Sequence, residues 1–97
     1  MCRPLYVVVQ HRIKDAQTAF PRGENLLQGE GAPRGMRVQG FYPSQDQSAV
    51  TFLWEADSVD AVRQYVDSTL GDSAENSYFE VDTKHALGLP VSAAPGA

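Results

Sequence analysis

The chain lacks most of the patterns that announce a chemistry. Its one cysteine, Cys2, permits neither an intramolecular disulfide nor a cysteine-built zinc site, and fits a reducing compartment. No run of Lys or Arg builds a stripe: 8 basic side chains stand against 12 acidic ones, a formal net charge of -4. Arg34 and Arg37 are near neighbours, but acidic residues elsewhere balance them. Phosphate backbones are held by clustered cations, so no nucleic-acid partner is expected. The apolar run Leu5 to Val9 is too brief for a signal-peptide core and passes into the charged HRIKD stretch, so the chain reads as uncleaved and cytoplasmic, with no membrane partner. HExxH, CxxC and GxSxG are absent, which withdraws support for metalloprotease, thiol-metal and serine-hydrolase chemistry.

What remains is an ordinary globular composition, 42% hydrophobic and 21% charged over 97 residues. That length makes one domain, expected over residues 1–90, with 91–97 as a disordered tail because SAAPGA has little to bury. So small a domain leaves much of its surface in water, and dimerisation is one remedy.

Leu5 to Gln10, LYVVVQ, is short and β-branched, as a strand should be. Asp15 then offers an N-cap, and Ala16, Ala19, Phe20, Gly23, Leu26 and Leu27 recur at helical spacing. Pro21 and Gly23 interrupt that stripe and predict a kink or a fresh start near Pro21. GEGAPRG, Gly29 to Gly35, clusters glycines but follows a helix and opens a strand, the reverse of a dinucleotide-binding turn. Met36 to Tyr42, the turn Ser44 to Gln47, and Ser48 to Glu55 read as a hairpin, with Pro43 placing its first strand at a sheet edge. Asp57 and Ser58 cap a helix whose buried stripe is Val59, Val62, Val66 and Leu70, stopped by Gly71. After the acidic DSAEN loop, Ser77 to Thr83 is the last strand expected, followed by KHALGLPV as a docking tail. The order β-α-β-β-α-β is ferredoxin-like, an α+β fold with two helices on one face of a four-stranded antiparallel sheet.

Alternation sorts the strand residues between the two faces. Leu5, Val7, Val9, Met36, Val38, Val50, Phe52, Trp54, Phe79 and Val81 are expected beneath the helices. The other parity collects Tyr6, Val8, Gln10, Arg37, Gln39, Phe41, Thr51, Leu53, Glu55, Tyr78, Glu80 and Asp82. That second face is too apolar for bulk water and too polar for a second core.

The strand ending FLWEAD, the capped helix SVDAVRQYV and the final YFEVD strand, within roughly Leu5 to Thr83, resemble the dimeric α/β-barrel superfamily. The resemblance implies that two sheets pack face to face, so the mixed face becomes a homodimer interface through Tyr6, Arg37, Gln39, Thr51, Tyr78 and Glu80. It also implies a small hydrophobic ligand between sheet and helices, lined by Trp54, Tyr65, Phe52, Val38, Phe20 and Gly40, where the missing side chain leaves room. Relatives include cofactor-free monooxygenases, isomerases, haem-degrading enzymes and metal-binding proteins. Haem-degrading members set a histidine on the helix after such a tryptophan; here Gln64 and Tyr65 stand in that region, so no cofactor is expected.

His11 is the candidate acid/base residue, since imidazole titrates near neutrality; the plainer reading is a strand-end histidine in water. His85 lies beyond the last strand, and strand lengths make it a poor partner for His11 on one metal. Glu80 and Asp82 sit about 6.5 to 7 Å apart on one face, a spacing that suits a hard cation or, more commonly, a match to Arg37 across an interface. No metal site is expected. Two function classes stand: a small dimeric monooxygenase or isomerase, and a non-catalytic metal- or ligand-binding protein of the same fold.

Overall fold

Apolar side chains at every second strand position need a surface to cover them, and two amphipathic helices supply it. The computed structural model describes residues 5–29, 31–32 and 35–89; Cys2, Arg34 and the 91–97 tail lie outside the described residues. The elements are β1 (Leu5–Ile13), α1 (Ala16–Gln28), β2 (Arg37–Pro43), β3 (Ala49–Ala56), α2 (Val59–Leu70) and β4 (Ala74–Glu80), with a 3-10 turn at Gly71–Ser73. The sheet runs β2-β3-β1-β4, and every neighbouring pair is antiparallel. This is the ferredoxin-like α+β fold, with Pro43 on an edge strand as a residue without an N–H requires.

Val7 and Val9 from β1, Phe52 and Trp54 from β3, Leu26 from α1 and Val62 and Val66 from α2 form the centre of the core. Trp54 is 0% exposed. Its ring stacks on Phe52, centroids 5.8 Å apart, and takes the edge of Tyr65 at 5.9 Å. Arg22 reaches from α1 and donates to the Leu70 carbonyl at 2.9 Å, tying the last turn of α2 to its neighbour.

Four expectations change. β1 does not stop at Gln10: the alternation continues, with His11 and Ile13 taking inward positions and Arg12 an outward one, paired against Asn76, Ala74 and Glu75. β4 therefore starts earlier, at Ala74, and absorbs part of the acidic stretch expected to be loop. Its parity is reversed as well. Tyr78 stands opposite the fully buried Val9 and Glu80 opposite Val7, so both lie on the helix side, while Phe79 is turned to the open face and is 51% exposed. A shift of one residue exchanges the faces of a whole strand.

The third change is in β2, where the register slips between Val38 and Gly40. Gln39 is the extra residue of a bulge, so Val38 and Phe41 both face the helices, Phe41 opposite Phe52 with ring centroids 5.0 Å apart. Gly40 goes to the open face, where a Cβ would meet the Tyr42 ring, its hydroxyl oxygen at 2.6 Å. The room expected at Gly40 is thus taken by Tyr42. Fourth, α1 is a single 13-residue helix with Pro21 inside it. Pro21 withholds only the N–H that would bond the Gln17 carbonyl, and burial of Ala19 and Leu26 on either side holds the helix across it.

The helices begin differently. Ser58 accepts the Ala61 amide at 3.0 Å, whereas the Asp15 carboxylate takes the Thr18 hydroxyl at 2.8 Å and no helix amide. Ser58→Ala is expected to cost about 1 kcal/mol and Asp15→Ala less, measured as the shift in urea midpoint; equal costs would contradict the capping geometry.

Candidate functional site

Continued alternation carries an imidazole into a position that an aliphatic side chain would ordinarily fill. His11 follows Val7 and Val9 on the helix side, between Val50 of β3 and Asn76 of β4, and is 3% exposed. It is not a strand-end histidine in water. Its ring meets Phe52 edge to face, centroids 5.2 Å apart and planes at 83°.

A chain of polar groups runs from this ring to α2. His11 Nδ1 lies 2.6 Å from Asn76 Oδ1. Asn76 Nδ2 donates to Asp67 Oδ1 at 3.0 Å, and the Tyr78 hydroxyl donates to the same oxygen. The Arg63 guanidinium sits 5.3 Å from the centre of the Tyr78 ring. Burial first, and then the hydrogen bond to Asp67 and its charge, hold the Tyr78 hydroxyl above its ordinary value, while Asn76 and the Arg63 charge offset part of this. The other ring nitrogen of His11, Nε2, is buried and has no hydrogen-bond partner among the described residues.

Beside the ring, between α1 and the sheet, is a cavity of about 220 Å³. Phe20, Gly23 and Leu27 of α1 close it from above, and Phe41, Phe52 and His11 from the sheet. Gly23 matters here because a Cβ built on it meets nothing within 4 Å; the missing side chain is part of the space. Exposed Glu24 is the other polar residue on the lining.

The structure brings together three of the residues named from sequence: His11, Phe20 and Phe52. Trp54 is packed in the core beside Phe52 and Tyr65 lies against Trp54; neither lines this cavity. Trp54 and Val38 instead border a separate, more open groove near the C-terminal end of α1. Gly40 faces away from both. Of the residues assigned to the open face, Tyr6, Arg37, Gln39 and Thr51 are there; Tyr78 and Glu80 are on the other side. Arg37 is not left for a partner's carboxylate alone, because Glu55 lies 3.6 Å from it and accepts the Gln39 amide at 2.7 Å, leaving Glu55 9% exposed.

Leu27, Asn76 and Asp67 were given no site role from the sequence, and Phe41 was expected on the open face. Helical spacing had placed Leu27 and Gly23 on the inner stripe, and the period-two pattern running through Ile13 was a signal for His11. Nothing in the sequence signalled the bulge that turns Phe41 inward. His85 is exposed, pairs with Asp82 at 2.8 Å and lies past the opposite end of β1 from His11. No group of three or more His, Cys, Asp or Glu among the described residues is arranged to hold a metal.

No protein-family model, curated protein or solved structure matches the chain.

Burial holds the His11 imidazole below its ordinary value of 6.5, and the Asn76 bond and the Asp67 charge offset only part of this. Unfolded, the ring takes up a proton as pH falls through about 6.5; folded, it resists. The unfolded state then binds more protons, so stability is full above about pH 6.5 and declines as pH falls toward the lower folded value, by at most about 1.4 kcal/mol per pH unit. Urea denaturation of the wild type and His11→Phe at about pH 7.5 and about pH 5.5 checks this. The wild type is expected to lose more stability than the variant on acidification, and equal losses would contradict the burial of a neutral ring.

Proposed function

We propose that this chain is a small-ligand-binding protein of the dimeric α/β-barrel type, taking a compact, largely apolar molecule between α1 and the sheet. The observation that supports this is the 220 Å³ cavity walled by Phe20, Leu27, Phe41 and Phe52 with a buried imidazole on its lining. A dry apolar cavity of about 150 Å³ holds a benzene-sized molecule, so a single substituted ring has room. Small pockets of this make, apolar with few polar groups, are what ligand sites usually look like. In its catalytic form the reading is an isomerase or cofactor-free monooxygenase with His11 moving the proton; in its non-catalytic form the site only binds. The metal-binding form has less support, since no group of three or more His, Cys, Asp or Glu among the described residues could hold a metal and His11 Nδ1 is engaged by Asn76.

The finer part of the reading is that a second copy covers the open face. Tyr42 is 60% and Phe79 51% exposed there, on the same surface as Tyr6 and Val8. Exposed apolar area flanked by the ion pairs Arg37–Glu55 and Arg12–Glu75 suits an interface with an apolar centre and a polar border.

Gly23→Leu tests the cavity. It exchanges the weakest helix former short of proline for a strong one, worth about 0.8 kcal/mol, and fills the space. Titration with p-xylene, followed by amide NMR shifts at Phe20, Gly23 and Phe52, is expected to saturate in the wild type. In the variant the shifts should vanish while the spectrum stays dispersed. Absence of saturable shifts in the wild type, with p-xylene and equally with rings of the same size that carry a hydroxyl or methoxy group, would overturn the proposal. For the dimer, light scattering at tens of micromolar (about 10⁻⁵ M, where a Kd near 1 μM is well exceeded) is expected to give twice the chain mass, and Phe79→Asp to halve it. A monomeric wild type would remove the second copy.

A further inference from the structure

The hydrogen bonds behind His11 decide which of its nitrogens carries the proton. A carboxylate accepts hydrogen bonds and a side-chain amide donates only through nitrogen. Asp67 Oδ1 therefore fixes Asn76 with Nδ2 toward α2 and Oδ1 toward His11, and the Tyr78 hydroxyl, donating to the same carboxylate oxygen, keeps that oxygen an acceptor. Facing a carbonyl-type oxygen at 2.6 Å, His11 Nδ1 must hold the hydrogen. A neutral imidazole has one N–H, so Nε2 carries a bare lone pair. That atom is buried and unpartnered among the described residues, and its residue, 3% exposed, lines the apolar cavity.

A buried acceptor left unmet is costly, and a ligand group that meets it recovers that cost. The aromatic and aliphatic walls disfavour a charged ligand, and Glu24 on the lining disfavours an anion most of all. We infer that the cavity selects a neutral, ring-sized apolar molecule bearing one hydrogen-bond donor, a phenol, alcohol or N–H, and that the donor is received by His11 Nε2. This rests on the reading of the cavity as a ligand site and adds to it the chemical class of the ligand. Asn76 and Asp67 are positioning residues: they touch the imidazole or its support and set its tautomer.

Three probes of nearly equal size separate the two statements. p-Cresol offers a donor, 4-methylanisole only an acceptor, and p-xylene neither. Because p-cresol is the best hydrated of the three, it is the weakest binder wherever its hydroxyl finds no partner. Calorimetric titration of the wild-type protein near neutral pH is expected to rank p-cresol first, about tenfold or more tighter than 4-methylanisole, and His11→Phe to place it last. Nitrogen-15 NMR of the imidazole, which needs neither ligand nor variant, is expected to show Nδ1 protonated and Nε2 bare. A wild type that binds p-xylene as well as or better than p-cresol, or an imidazole protonated on Nε2, overturns the inference and leaves the cavity reading standing. Failure of all three probes to bind overturns the cavity reading and the inference with it.

Discussion

The register of β1 against β4 is the constraint on which the rest of the structure depends. β1 is a central strand, so its side chains are fixed from both sides: Val9 lies between Phe52 and Tyr78, and His11 between Val50 and Asn76. Moving β4 by one residue would take Asn76 and Tyr78 off the helix side and bring Phe79 in. His11 would then lose the oxygen at its Nδ1, and Asp67 on α2 would lose both donors it receives from β4. Ile13 stands opposite the small Ala74, and the large Tyr78 stands opposite the smaller Val9. The same register assembles the polar chain from His11 through Asn76 to Asp67.

The cavity has two local causes. Gly23 withholds a side chain from the inner face of α1, and the bulge at Gln39 turns Phe41 toward Phe52 so that its ring forms a wall. Protein interiors are otherwise filled to crystal-like density, and a void lined by a residue with an unpartnered buried nitrogen costs stability twice, through lost packing and through the unmet acceptor. Such costs are borne in native proteins chiefly where they serve a site. A 97-residue domain has little stability in reserve, so the cost of the cavity and of the exposed apolar side chains on the open face is large relative to the whole.

How much of this could be read before folding depended on the range of the interactions. α2 was legible because everything that makes it is local: a serine that accepts its own helix amide, a valine stripe at steps of three and four, and a glycine at the end. The hairpin and the edge position of β2 followed from turn residues and one proline. β4 was not legible in the same way, because SYFEVD offers an inward-facing residue in either parity, and only its partner strand chooses between Tyr78 and Phe79. Pro21 was read as an interruption on local grounds, and packing of Ala19 and Leu26 against the rest of the core outweighed it.

The site divides along the same line. The sequence by itself determined the β-α-β-β-α-β order, the strand alternation that places Phe52 inward, and the helical stripe that holds Phe20 and Gly23, because these follow from backbone periodicity within each segment. Only the tertiary structure decided that β1 runs on to bury His11, that Asn76 and Asp67 stand behind it, that Phe41 joins the wall while Trp54 does not, and that Tyr78 faces α2. Each of those depends on pairing between residues up to 65 positions apart, and cross-strand register, unlike periodicity, is settled by which residues meet across the sheet.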